Sequence, residues 1–374
     1  MLSASACAKA LQAMHARQHV FTQFARTVAA ATLPPLETAS MVAARWLLAP
    51  VWAAQLFTAA KTCDRNPILG SQRLNRRGLH VWRGRLAHRL AAARRRRLER
   101  LVDPADRGAF ARDGVVTRPA FLPPALFEQV KAEVAGLQAP ARETVEGETL
   151  TRLIRLTPRL LRSMPACRRM LALPAWTGLL RYVSSFDAEP NVFVQTLFFR
   201  TAPGKRDHQM QLHMDTFHPT MKAWLFLEDV AADAGPFTYA PGSHRRTPRR
   251  DAWERRMSVD AADPSTPSRG GSFRIGPHQL RRIGCRAPEP LATPANTLVV
   301  ADTYGFHARG EAPAGTLRIA IYVTSRPNPF LPWTRLLPRP QLDWLELLTA
   351  WIAPRRRGDR RLVTGPLSPA QPWS

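Results

Sequence analysis

The sequence predicts a mainly β core with flanking helices behind a helical N-terminal extension, and three observations predict it. Runs rich in aromatic and β-branched residues recur at Asn191–Thr201, Met221–Val230, Thr297–Asp302 and Thr316–Thr324. Turn signals separate them at Pro203-Gly204, Ala234-Gly235-Pro236 and Pro241-Gly242-Ser243. No regular helical pattern alternates with these runs, which disfavours a parallel doubly wound sheet. A two-sheet barrel or jelly roll accommodates them better.

The chain divides by texture. Residues 1–103 are rich in Ala, Leu and Arg with few strand formers, and read as a basic helical extension. Within it, Ser40–Ala60 is the best membrane candidate, since a span takes ~20 apolar residues. Arg45 and Pro50 interrupt that run, so an interfacial or buried helix competes with a true span. Arg76–Leu101 (RRGLHVWRGRLAHRLAAARRRRLERL) sets a cationic face beside an apolar one on a helix. That pattern suits peripheral association with an anionic membrane surface. The competing reading is a solvated helix packed on the domain.

Residues 104–330 carry the turns and most of the polar chemistry. A short strand is expected around Val115 and Val116, followed by a helix near Pro124–Leu137. Residues 331–374 form a C-terminal extension, in which Leu342–Ala353 followed by Arg355, Arg356 and Arg357 repeats the basic amphipathic theme.

The formal net charge is +26, and it comes from arginine, because lysine occurs only at positions 9, 61, 131, 205 and 222. Such a chain is drawn to anionic surfaces or substrates. The arginine excess lies mainly outside the core, and no helix-turn-helix or base-flipping pattern appears, so no nucleic-acid partner is expected. Cys7, Cys63, Cys167 and Cys285 form no C-x-x-C pair, which disfavours a zinc ribbon or a thioredoxin-like centre. The first 30 residues lack the apolar core and cleavage site of a signal peptide. The chain therefore reads as cytoplasmic and reduced, with membrane association resting on the basic stretches.

The chemistry starts at Gln211–Thr220 (QLHMDTFHPT). On a strand, His213 and Asp215 point to one face and Met214 to the other. A third ligand is offered by His307, which closes the run TLVVADTYGFH. Two histidines and a carboxylate leave three open positions on an octahedral metal, the arrangement of non-haem iron(II) oxygenases. A structural His–Asp hydrogen bond is the plain alternative. Arg318 lies on the following strand, where Arg318, Ala320 and Tyr322 share a face and Leu317, Ile319, Ile321 and Val323 form an apolar one. A guanidinium on such a strand needs a carboxylate partner, supplied by a dicarboxylate co-substrate or by a buried Asp or Glu.

With these residues in hand, Phe110–Pro327 resembles the phytanoyl-CoA dioxygenase-like family of iron(II)/2-oxoglutarate oxygenases. The matching pieces are FARDGVV with FLPPALF, HMD, AGPFTYAPGSH, and the pair His307 and Arg318. The resemblance implies a double-stranded β-helix, iron held at His213, Asp215 and His307, and 2-oxoglutarate salt-bridged by Arg318. It further implies dioxygen as oxidant and hydroxylation of an unactivated C–H bond. The basic termini point to a lipid or acyl substrate.

Some relatives carry a hydroxyl residue where Arg309 stands, which removes that contact to 2-oxoglutarate. The presence of Asp215 favours hydroxylation over halogenation. Gln195 or Thr196 on an earlier strand, and Lys222 beside Trp224 and Phe226, are further candidates for meeting the co-substrate. His208, His218 and His244 are expected in loops or around the site, and Phe217, Tyr239, Tyr304 and Phe306 in the core. The competing class is a non-catalytic barrel acting as a binding or membrane-scaffold protein.

Overall fold

The computed structural model describes residues 48–63, 66–199, 207–263, 265–335 and 360–365. Contacts divide the chain at Val51, and Trp52–Ser374 forms the larger unit described below. Residues 48–55 are helical and the chain turns at 56–57. Residues 40–47 of the membrane candidate, and the Leu342–Arg357 stretch, lie outside the described residues. No helix among the described residues is long and apolar enough to cross a membrane.

The helices are α1 (Gln72–Arg76), α2 (Leu79–Leu98), α3 (Pro104–Asp113), α4 (Pro124–Ala135), α5 (Pro165–Ala172), α6 (Pro174–Ser184), α7 (Pro248–Asp260) and α8 (Pro277–Arg282). Proline begins α3 to α8, where its missing N–H costs nothing. The strands are β1 (Val115–Arg118), β2 (Ala139–Glu146), β3 (Thr149–Arg155), β4 (Asn191–Phe199), β5 (Met221–Phe226), β6 (Phe237–Tyr239), β7 (Glu289–Leu291), β8 (Thr297–Asp302), β9 (His307–Arg309), β10 (Leu317–Ser325) and β11 (Arg360–Gly365).

One eight-stranded sheet runs β1-β8-β5-β10-β4-β3-β2-β11 and a three-stranded sheet runs β7-β6-β9. Every strand pairing is antiparallel. This is the mainly β, two-sheet core with flanking helices that the sequence predicts.

The alternation of side chains sorts the large sheet into two interfaces. Its outer face presents Val194, Ala223, Leu225, Leu298, Val300, Ile321 and Val323 to α4, α5 and α6. Its inner face presents Trp224, Phe226, Val299, Ala301 and Ala320 to Phe237 and Tyr239 of the small sheet. A third cluster joins Met214, Trp253, Phe273 and Phe306 beneath α7.

Helix α2, the arginine-rich segment, is built into this unit. Arg83, 2% exposed, donates to the carbonyls of Leu56, Thr58 and Ala60 at 2.8, 2.9 and 2.9 Å. Arg94 donates to the carbonyls of Ser185, Pro329 and Leu331. Arg95 meets Asp302 at 3.0 Å. Trp82, Arg85, Arg89 and Arg96 face solvent. The helix is thus packed on the domain, the competing reading, with part of its charge engaged by backbone carbonyls of residues 56–60, 185 and 329–331.

Candidate metal centre

His213 and His307 sit directly opposite each other. Each backbone N–H donates to the other's carbonyl at 3.0 Å, an antiparallel bridge outside the regular strands. Asp215 N–H donates to the Thr303 carbonyl at 3.0 Å. The alternation expected of H-x-D holds on this extended backbone. Met214 turns into the cluster with Trp253 and Phe273, and His213 and Asp215 turn the opposite way.

The turn that delivers His307 is fixed from several sides. Asp302 Oδ1 accepts the Thr220 and Tyr304 N–H groups at 3.2 and 3.1 Å, and Arg95 holds its other oxygen. Arg250 donates to the Tyr304 carbonyl at 2.7 Å with its guanidinium over the Tyr304 ring. A Cβ on Gly305 would fall 1.8 Å from the Tyr239 hydroxyl, so only glycine fits there.

Both imidazoles are oriented alike. His213 Nδ1 donates to the Gln211 carbonyl at 2.7 Å and His307 Nδ1 to the Gly305 carbonyl at 2.9 Å. That assigns the lone pair to Nε2 in each ring. His213 Nε2 and His307 Nε2 lie 3.9 and 3.7 Å from Asp215 Oδ1. One donor atom from each of the three residues falls within 4.8 Å of the others, and all three residues are buried. His307 Nε2 has no hydrogen-bond partner among the described residues.

Burial pushes the His307 imidazole down to about 3, with His213 beside it adding to the effect. Burial lowers His213 as well. Burial by itself would raise the Asp215 carboxyl, but Lys222, His307, Arg326 and His213 hold it well below the usual range. Two neutral imidazoles and one carboxylate with converging lone pairs are the donor set a divalent metal requires. A lone His–Asp hydrogen bond does not explain distances this long.

Arg318 lies on the inner face of β10 and is 6% exposed. It donates to the Gly235 carbonyl, and its Nε is buried without a partner. No described carboxylate reaches it. Burial and nearby Arg309 push it down to about 9. Arg309 is itself held by Asp207 at 2.6 Å. Gln195 is paired in register with Ala320, and its Oε1 accepts from Trp224 Nε1 at 3.1 Å. Lys222 is at the other end of the barrel, paired with Thr324, with Nζ 2.7 Å from Asp215 Oδ2. Thr196, on the opposite side of β4 from Gln195, pairs with Ile319 and Arg152.

His208 is exposed on a short 3-10 turn. His218 is buried against the Pro219 carbonyl and outside the three-residue cluster. His244 packs on Phe110. Tyr239 donates to the Asp302 carbonyl, Tyr304 to Glu254, and Phe306 packs on Trp253. Phe217 lies under the Arg83 guanidinium.

Sequence reasoning missed Lys61, Arg274 and Arg326. Lys61 Nζ donates to the Asp215 carbonyl and to Ser272 Oγ, both at 2.5 Å. Arg326 lies 3.7 Å from Asp215 Oδ2, and the backbone of Arg274 forms an antiparallel bridge with His213 on its other edge. One signal could have found Lys61. It is among the five lysines of an arginine-rich chain, the same rarity that marked Lys222.

A sequence model of the family described as Phytanoyl-CoA dioxygenase (PhyH) matches residues 110–271, a span that holds His213 and Asp215 and stops before His307 and Arg318. No curated protein matches the chain. Among solved structures, the fold is similar to the epimerase SnoN in complex with Fe3+, alpha-ketoglutarate and nogalamycin RO. That match has 17% identity and a TM-score of 0.39 over 59% of this chain and 84% of that one. HygX from Streptomyces hygroscopicus, with nickel, 2-oxoglutarate and hygromycin B, matches at 14% identity and 0.39 over 64% and 93%. EctD from S. alaskensis with bound Fe matches at 13% and 0.38 over 60% and 76%. Over residues 110–271, the segment built around His213 and Asp215 is similar to the phytanoyl-CoA dioxygenase family.

Proposed function

We propose that the chain is an iron(II)- and 2-oxoglutarate-dependent dioxygenase that hydroxylates an unactivated C–H bond. His213, Asp215 and His307 hold the iron and Arg318 holds the far carboxylate of 2-oxoglutarate. The observation that carries the reading is a pair of facts about buried groups. Two imidazole Nε2 atoms and a carboxylate oxygen converge, and the buried Arg318 guanidinium on the inner face of β10 has no acid of its own among the described residues. An uncompensated buried charge is expensive, and a dicarboxylate removes that cost.

When bound, iron(II) with 2-oxoglutarate and O2 supplies oxidative decarboxylation to succinate and carbon dioxide, coupled to oxidation of a substrate C–H bond. The chain's own residues do the rest. The carbonyls of Gln211 and Gly305 fix the two imidazole rings. Lys222 holds the Asp215 oxygen that faces away from the histidines. Gln195, tied to Trp224, orders the wall between the metal centre and Arg318. The buried Phe226, Phe237 and Tyr239 exclude water from that space.

Succinate release in the presence of iron(II), 2-oxoglutarate and oxygen tests the reading. The wild type is expected to form succinate, and His213→Ala to form none. Equal succinate from both would sink the assignment and favour the non-catalytic binding protein.

The exposed side of α2 retains the membrane reading. Phe57 and Trp82, 52% and 47% exposed, meet edge to face at 6.0 Å beside Arg85 and Arg89. An aromatic pair within a basic stripe complements an anionic bilayer and suits a lipid or acyl substrate. Co-sedimentation with phosphatidylserine vesicles at low salt is expected for the wild type. It should drop when Trp82, Arg85 and Arg89 are replaced together. Unchanged sedimentation would remove this attachment.

A further inference from the structure

Two cations approach the metal-facing carboxylate, and two more lie beside its segment of backbone. Lys222 and Arg326 approach Asp215 Oδ2 at 2.7 and 3.7 Å. Lys61 lies against the backbone of the same residue at 2.5 Å. Arg326, Lys222 and Arg274 all lie close enough to Lys61 for their charges to oppose its own. Arg274 has no carboxylate partner among the described residues, and its buried Nε makes no hydrogen bond. Asp215 is the acid beside Lys61, Lys222 and Arg326.

Charge neutralisation of Asp215 needs one of these cations. Lys222 and Arg326 reach Asp215 Oδ2, Lys61 reaches its backbone carbonyl and Arg274 neighbours His213 across a bridge, so four cations cluster around one carboxylate and three positive charges stay uncompensated. The proposed iron(II) and 2-oxoglutarate cancel each other and do not consume that excess. Nor can 2-oxoglutarate gripped by Arg318 use it with its far carboxylate. Lys222 pairs with Thr324, so it lies six residues along β10 from Arg318, a separation of ~20 Å between backbones.

We propose that Lys61, Lys222, Arg274 and Arg326 bind a phosphate-type dianion of the substrate at the mouth of the metal centre. The oxidised carbon then lies within a few bonds of that phosphate. Guanidinium forks match phosphate oxygens in pairs, and a phosphate monoester carries close to two charges at neutral pH. A carboxylate would leave more of the excess uncompensated. The proposal rests on the reading of His213, Asp215 and His307 as the metal site.

The test uses the full chain with Mn(II), saturating 2-oxoglutarate and n-butyl phosphate as the probe. Mn(II) binding is read by electron paramagnetic resonance, and probe binding by calorimetry and by Mn(II)-induced relaxation of the 31P signal. The expected result is saturable binding with strong 31P relaxation. Affinity should fall at least tenfold in an Arg274→Gln/Arg326→Gln double variant that keeps its circular dichroism and its Mn(II) binding. Butyrate is expected to bind at least tenfold more weakly than butyl phosphate. Intact Mn(II) binding with equal probe affinity in both proteins would overturn the anion site alone. Butyrate binding as tightly as butyl phosphate would overturn the phosphate class. Absence of Mn(II) binding in the wild type would instead overturn the metal reading beneath it.

Discussion

At the scale of single residues, the proposed metal centre depends on what holds each donor as much as on the donors. His307 is aimed by the Gly305 carbonyl, and Gly305 sits where a Cβ would strike the Tyr239 hydroxyl. Gly305→Ala is therefore expected to weaken Mn(II) or iron(II) binding about 10- to 100-fold, the usual effect of losing a ligand's own support. Titration calorimetry with the metal reads this, and unchanged affinity would contradict it. Arg318 gives a test of opposite sign. Its charge is buried with no acid beside it among the described residues, so Arg318→Met should stabilise the protein without 2-oxoglutarate by about 1–4 kcal/mol. The same variant should lose the rise in melting temperature that 2-oxoglutarate gives the wild type. The three converging donors could be picked from the sequence because H-x-D has strand spacing and His307 closes a strand-like run. Lys61, Arg274 and Arg326 could not, because each comes from a distant segment with no periodic signal. Only the fold brings Lys61 and Arg326 to Asp215 and Arg274 to His213.

At the scale of elements, β10 is the clearest case of legible sequence. Ile321 and Val323 pack in one cluster while Ala320 packs in the other, as alternation requires. β8 spans Thr297–Asp302 as its run of apolar residues implies. β2, with Pro140, Arg142 and Glu143 in its span, and the three-residue strands β6, β7 and β9 carry too little pattern to be read. Met221–Val230 reads as one strand but ends at Phe226, since Glu228 and Asp229 are exposed and turn the chain. The α2 arginines are the main difference from expectation. A repeated Arg looks like a solvated face, yet Arg83 and Arg94 point inward because residues 55–60 and 329–331 present carbonyls with no strand partner. Arg83→Ala is expected to cost on the order of 3 kcal/mol, the penalty for buried acceptors left unpaired. It should also expose residues 55–60 to hydrogen exchange ahead of the sheet. An exchange pattern identical to wild type would contradict this role.

At the scale of the whole molecule, buried neutral histidines set the response to acid. Burial pushes His218 and His244 down to about 3 and His88 well below its ordinary value. In the unfolded chain each titrates near 6.5. Between those values the unfolded state binds more protons than the folded one, so stability is full above about pH 6.5 and falls as pH drops toward 3. Each histidine contributes a slope on the order of 1.4 kcal/mol per pH unit in that window. Urea midpoints at pH 7.5, 6 and 5 should decline in that order, and a flat profile would contradict the buried neutral state. The net charge of +26 pointed to anions without saying which. The fold places part of that charge inside, part on the exposed side of α2, and part around Asp215.

The central claim is that His213, Asp215 and His307 hold iron(II) while Arg318 anchors 2-oxoglutarate. The most direct measurement is the visible charge-transfer absorption of the anaerobic protein on adding iron(II) and 2-oxoglutarate. The account requires a band in the wild type, none in His213→Ala, and a band in Arg318→Ala that needs at least tenfold more 2-oxoglutarate. A folded wild-type protein with no band, or an Arg318→Ala variant with unchanged 2-oxoglutarate dependence, would contradict it.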